Sequence, residues 1–205
     1  MPPSRSPIRA TVEAYLEHHP DERAGLAVLP TALDRPADPT SRATLPGHVT
    51  CGVILVNEIG QVLHIRHRAS GKVLTPGGHT EPEDKTLAAA ALRELDEETG
   101  IPPGAVAPRP GCDGVPVDID VHDIDTSPVK SGPAHQHYDL RYLFRVDDSE
   151  VALTPSGVPH VREPGKCTGW RFWDPDELPA PVVPYTRAAV EGIRSGRLYT
   201  EMGWA

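Results

Sequence analysis

The sequence predicts an α/β (α+β) domain built on a mixed β-sheet, preceded by a helical extension. Three observations carry this. Segments of helical and of period-two patterning follow in the order helices, strands, helix, strands, helix. The strand-like segments are short and bounded by turn formers. A stretch rich in Pro and other turn residues, R-P-A-D-P-T-S-R-A-T-L-P-G at 35–47, divides the first helices from everything after them. Residues 1–45 therefore read as a helical extension and linker, and 46–205 as one domain.

Taken in order, residues 8–34 carry Val12, Tyr15 and Leu16, then Leu26, Leu29 and Leu33, at helical spacing, with Pro20 between the two stretches. Two short helices cannot bury their apolar stripes alone. This pair is expected to pack on the following domain or on a second copy of the chain in a homodimer. H-V-T-C-G-V-I-L-V predicts a strand, E-I-G a turn, and Q-V-L-H-I-R-H-R a second strand. His64 and His67 are expected at its surface. A helix is predicted over Thr86–Thr99, ended by Gly100. G-V-P-V-D-I-D-V-H and H-Q-H-Y-D-L-R-Y-L-F-R-V both alternate with period two, C-T-G-W-R-F-W reads as a further strand, and residues 184–196 as a closing helix.

The chain has 205 residues and a net charge of −9, which argues against a broad surface for duplex nucleic acid. Its longest apolar runs, such as Val53–Val56, are far too short to span a membrane. The N-terminus lacks the apolar run of a signal peptide. Cys51, Cys112 and Cys167 are odd in number and widely spaced, which suits reduced thiols in a cytoplasm.

The helix at 86–99 contains A-L-R-E-L-D-E-E-T-G-I, a concentration of like charge that weakens a helix. At 100° per residue, Leu87, Ala91 and Leu95 share the inward stripe, Glu98 falls within about 20° of Ala91, and Glu94 within about 60°. Glu97 flanks them. Inward carboxylates must be protonated, paired or metal-bound. Arg93 cannot neutralise three of them, whereas a hard divalent cation can. The other reading is a solvated acidic patch, which would oppose the helix dipole. Upstream, L-T-P-G-G-H-T-E-P-E-D places Gly77 and Gly78 where a backbone can approach a ligand closely.

Gly78 to Ile101 resembles the signature of the Nudix hydrolases: a Gly, five residues, Glu, seven residues, then Arg-Glu-apolar-x-Glu-Glu-x-Gly-apolar. R-E-L-D-E-E-T-G-I, residues 93–101, matches the second half fully. In the first half Asp84 stands where the family has Glu, and eight residues separate it from Arg93. Glu81 is an alternative loop carboxylate. The resemblance implies the Nudix fold, a mixed sheet sandwiched between helices with the signature as loop–helix–loop. It also implies hydrolysis of a diphosphate (pyrophosphate) linkage, by water attack on phosphorus. Glu94, Glu97 and Glu98, with a carbonyl of Gly77 or Gly78, would hold Mg²⁺ or Mn²⁺. Arg93 would steer a glutamate. Glu94, Glu97 and a later-loop residue, Glu163, are candidates for the base. The substrate expected is a small-molecule nucleoside diphosphate derivative. A non-nucleotide diphosphate, or a non-catalytic nucleotide-binding module, remains the alternative.

A second constellation lies outside the signature. Alternation puts Asp118, Asp120 and His122 on one strand face, and His135, His137, Asp139 and Arg141 on one face of the next strand. The opposite faces, Val117, Ile119 and Val121 against Tyr138, Leu140 and Tyr142, are the expected core faces. Antiparallel pairing would make the polar faces a His–Asp ladder. It reads as a substrate-recognition wall facing the cleft, through His137, Asp139 and Arg141, or as a second metal site, or as a solvated hydrogen-bonded network. His79, beside the glycines, could reach phosphate or pack in its loop.

Overall fold

The structure, a computed structural model, describes residues 3–68, 70–108, 114–126, 133–146, 165–174 and 177. Glu163, Cys112 and the closing helix expected at 184–196 lie outside the described residues.

The N-terminal region folds as α1 (Arg5–His18), a 3-10 turn at Pro20–Arg23 and the short α2 (Val28–Leu33). Pro20 opens the 3-10 turn directly after α1, where a missing N–H costs nothing. The strands are β1 (Gly47–Val56), β2 (Val62–His67), β3 (Val73–Leu74), β4 (Gly77–His79), β5 (Val106–Pro108), β6 (Asp118–Ile124), β7 (His135–Val146) and β8 (Cys167–Trp173). The remaining helix, α3 (Leu87–Thr99), lies between β4 and β5.

One mixed sheet contains all eight of these strands. Its long central pair, β1 and β7, runs parallel in register from Gly47↔Gln136 to Val56↔Arg145. The flanking pairs are antiparallel: β6 and β5 on β7, β2 and β4 on β1, and β3 and β8 on β2. Two adjacent parallel strands need a long crossover, and the segment between β1 and β7 includes α3.

Alternation assigns the two faces of β1 and β7. Val49, Cys51, Val53 and Leu55, with Tyr138, Leu140, Tyr142 and Phe144, join one hydrophobic core. Leu87, Ala90, Ala91 and Leu95 of α3 belong to the same core. So do Ile8, Val12, Tyr15, Leu16, Leu26, Leu29 and Leu33 from the N-terminal region. At about 1.5–3 kcal/mol per buried side chain, these last contribute on the order of 10 kcal/mol of gross burial energy. The linker is anchored too, since the Val49 N–H donates to the Pro39 carbonyl at 2.7 Å. No helix among the described residues is long and apolar enough to cross a membrane.

Candidate active site

α3 starts and stops where its sequence dictates. Thr86 holds extended backbone and accepts from the Ala89 N–H at 3.0 Å, which satisfies an otherwise unpaired donor. Gly100 ends the helix in a left-handed conformation, φ 77°. Between them Leu87, Ala91 and Leu95 are buried, and Glu94 and Glu98 continue that stripe inward, each only 2% exposed. Glu97 sits on the flank, with 28% of its side chain exposed.

Arg93 organises the cluster. Its Nε and Nη2 each donate to Asp84 at 3.1 Å, its Nη1 to Glu94 and Glu97 at 3.0 Å, and its Nη2 also to the His79 carbonyl at 2.7 Å. From the other side Lys166 Nζ bridges Glu94 at 3.2 Å and Glu97 at 3.0 Å. Glu98 accepts from the Gly77 N–H at 3.1 Å. Burial opposes ionisation of Glu97, but Lys166 and Arg93 outweigh it and hold its pKa below the ordinary carboxylate range. Gly78 contributes space, because a Cβ there would lie 2.5 Å from the Glu94 Oε1.

The donors gathered here are oxygens, the set a hard divalent cation takes. The Lys166 ammonium stands at the point where Glu94 and Glu97 oxygens converge, so the cluster already accommodates a cation.

Asp84 does not join this convergence. It is 5% exposed, and its carboxylate is used on Arg93 and on the Glu81 N–H at 2.7 Å. The turn before it is closed by the Asp84 N–H on the Glu81 carbonyl. Glu81 is exposed and contributes backbone groups to that turn.

The ladder forms as its alternation predicts. β6 and β7 pair antiparallel, matching Asp118 with Arg141, Asp120 with Asp139 and His122 with His137. Its expected place in the cleft is not what the structure shows. Thr50 pairs with Asp139 in register and donates to it at 2.9 Å, so the ladder shares the face of His48 and Thr50. Glu94 approaches the position of Gly78, which is paired with Cys51 on the other face. Carboxylate cluster and ladder thus lie on opposite sides of β1 and β4, which removes His137 and Asp139 from the carboxylate side. Arg141 is 0% exposed and ion-paired with Asp118, Asp120 and Asp139, so its charge is used within the ladder. The His79 ring sits on the ladder side, 3.0 Å from His48, and only its carbonyl serves Arg93.

His64, expected at the surface, is 3% exposed. It stands beside Arg66 in the alternation, on a strand flanked by β3 and β8, and its Nδ1 lies 3.3 Å from the Val62 carbonyl. It helps to line a cavity of about 360 Å³ with Arg66, Trp170 and Trp173, which shares no residue with the carboxylate cluster. Lys166 and His48 were not singled out from the sequence. Nothing local marks Lys166, whereas His48 continues into Thr50 with the period of two that defined the ladder.

Comparison with known proteins follows the same lines. The NUDIX domain family matches residues 46–191. An RNA pyrophosphohydrolase of Rhizobium meliloti (strain 1021) is 32% identical over 162 residues, covering 73% of this chain and 92% of that protein. A probable DHNTP pyrophosphohydrolase of Lactococcus lactis subsp. cremoris (strain MG1363) is 32% identical over 99 residues, 48% of this chain and 55% of that protein. The crystal structure of a NUDIX-family hydrolase from Clostridium perfringens superposes with a TM-score of 0.51 at 21% identity, covering 72% of this chain and 97% of that one, and shares the fold.

Proposed function

From the premise that this chain belongs to the Nudix hydrolase family, enzymes that cleave diphosphate linkages, we propose that it hydrolyses a small nucleoside diphosphate derivative in a divalent-metal-dependent reaction. The observation that carries this is the gathering of Glu94, Glu97 and Glu98 beside Gly77 and Gly78, with Glu94 and Glu97 already bridged by the Lys166 cation and Glu98 held by the Gly77 N–H. The name of the Rhizobium relative supports a nucleotide-linked substrate, and the net charge of −9 favours a small diphosphate over duplex nucleic acid.

In this reading Glu94, Glu97 and Glu98 would hold Mg²⁺ or Mn²⁺. The ion would neutralise diphosphate oxygens and polarise the attacking water. The remaining work falls to the chain. Arg93, fixed by Asp84 and the His79 carbonyl, orients Glu94 and Glu97 through charge-assisted bonds. Glu98 is held by the Gly77 N–H, which fixes β4 against the end of α3. Glu97, the most exposed of the three and ionised at neutral pH, accepts the proton of the attacking water. Lys166, 40% exposed on its side chain, is placed at the rim of the carboxylates, where it would meet phosphate oxygens of a bound diphosphate. A cytoplasmic setting suits the buried cysteines Cys51 and Cys167.

The test is a panel of nucleotide-linked and non-nucleotide diphosphates with Mg²⁺, phosphate release being measured for wild type and Glu97→Gln. The proposal expects turnover of a nucleoside diphosphate derivative, reduced on the order of a hundredfold or more in the variant. Turnover confined to non-nucleotide diphosphates, or wild-type rates in Glu97→Gln, would overturn it.

A further inference from the structure

Five histidines gather on the side of β1 away from the carboxylates. His48 of β1 stands in register with His137 of β7, and His135 lies two residues earlier on the same face of β7. Each of these three presents a ligand nitrogen within 4.8 Å of the others. The ring of His48 lies 5.0 Å from each of the His79, His135 and His137 rings. His122 stacks edge-on to His137 from β6, at 5.6 Å, with its Nδ1 2.8 Å from Asp120.

The hydrogen bonds fix which lone pairs are left. A carbonyl oxygen can only accept, so a ring nitrogen beside one carries the proton. His135 Nδ1 lies 3.0 Å from the Pro133 carbonyl, and His48 Nδ1 lies 3.4 Å from the Thr44 carbonyl. In the neutral ring, a proton on Nδ1 leaves the lone pair on Nε2. His135 Nε2 lies 3.3 Å from His137 Nε2, and His48 Nε2 lies 3.0 Å from His79 Nε2. A tetrahedral ion with nitrogens at ~2.0–2.1 Å spaces them ~3.3 Å apart. Backbone carbonyls on the far nitrogen are also what usually orients a metal-binding imidazole.

We infer that His48, His135 and His137 form a binding site for a divalent transition-metal ion of the Zn²⁺ class, with His79 placed to supply a fourth nitrogen. The site is separate from the carboxylate cluster in both position and chemistry. Imidazole nitrogens suit borderline ions, while Mg²⁺ keeps to oxygen. A bound ion would cross-link the N-terminal ends of β1 and β7, a structural role on the reverse of the sheet.

The full-length protein is stripped with chelator, reloaded with Zn²⁺ or Co²⁺ in the presence of Mg²⁺, and desalted. Bound metal is counted by mass spectrometry, and the Co²⁺ form is read by its visible absorption. Wild type and Glu97→Gln are expected to retain one equivalent, with intense tetrahedral Co²⁺ bands and a raised Tm. His137→Gln and His135→Gln are expected to bind at least tenfold more weakly. His135 is the first residue of β7, so its variant remains informative if His137→Gln does not fold. A wild-type protein that retains no Zn²⁺ or Co²⁺, or metal retention lost in Glu97→Gln and kept in His135→Gln, would overturn the site.

Discussion

Gly78→Ala is expected to disturb the carboxylate cluster while leaving the fold in place. The new Cβ would lie 2.5 Å from Glu94 Oε1, 2.6 Å from its Cδ and 2.8 Å from Oε2. Ordinary contact between such atoms needs about 3.5 Å, so the carboxylate must retreat by about 1 Å. Glu94 has nowhere free to go, being 2% exposed and tied to Arg93 and Lys166. A misplacement of about 1 Å in a reacting constellation costs on the order of a hundredfold in rate, or about 2.7 kcal/mol. The stability cost is expected to stay near 1 kcal/mol, because the clash is with the end of a side chain. Gly77→Ala is the contrast. Its Cβ would meet the Cys51 carbonyl at 2.7 Å and the Gly52 Cα at 2.9 Å, which are backbone atoms of β1 and cannot yield. That variant is expected to lose several degrees or more of Tm. Steady-state phosphate release with Mg²⁺, beside a thermal melt, reads both. Wild-type kcat in Gly78→Ala, or a loss of Tm as large as that of Gly77→Ala, would refute the reasoning.

Three further outcomes are expected. Asp84→Asn removes the charge of a buried partner that the Arg93 guanidinium contacts through both Nε and Nη2, and is expected to cost about 2–3 kcal/mol by denaturant melt and to lower kcat more than KM. Burial lowers the His64 pKa to about 4, partly countered by the Val62 carbonyl. The unfolded chain therefore binds the extra proton first, so this contribution to stability is intact above pH 6.5 and lost as pH falls toward 4, by about 1.4 kcal/mol per pH unit. Tm measured across that range is expected to fall less steeply in His64→Leu. Deleting residues 1–45 exposes the core partners of Ile8, Val12, Tyr15, Leu29 and Leu33, and a truncated chain that stays soluble with an unchanged Tm would contradict the shared core.

Much of this arrangement is written in local pattern. Thr86 and Gly100 bound α3 because capping is a property of the residues themselves, and the 3.6 period alone turns Glu94 and Glu98 inward. The ladder follows from alternation, since each side chain's face depends only on parity. What sequence does not show is which element covers each face. The ladder and the carboxylate cluster are close in the chain's order of strands, yet β1 stands between them. Gly77 and Gly78 give no strand signal because they have no side chains to alternate, so β4 emerges only from its pairing with β1. Lys166 reaches Glu94 and Glu97 across a separation of about seventy residues, and His64 lies on a strand flanked by one from a distant part of the chain.

The central claim is that the carboxylates at the end of α3 work by holding a divalent cation. It is tested most directly by following hydrolysis of the best nucleoside diphosphate derivative with chelator-stripped enzyme while Mg²⁺ is added back. The account predicts no turnover above background before addition, and a saturable return of activity with Mg²⁺. Full activity in excess chelator would contradict it.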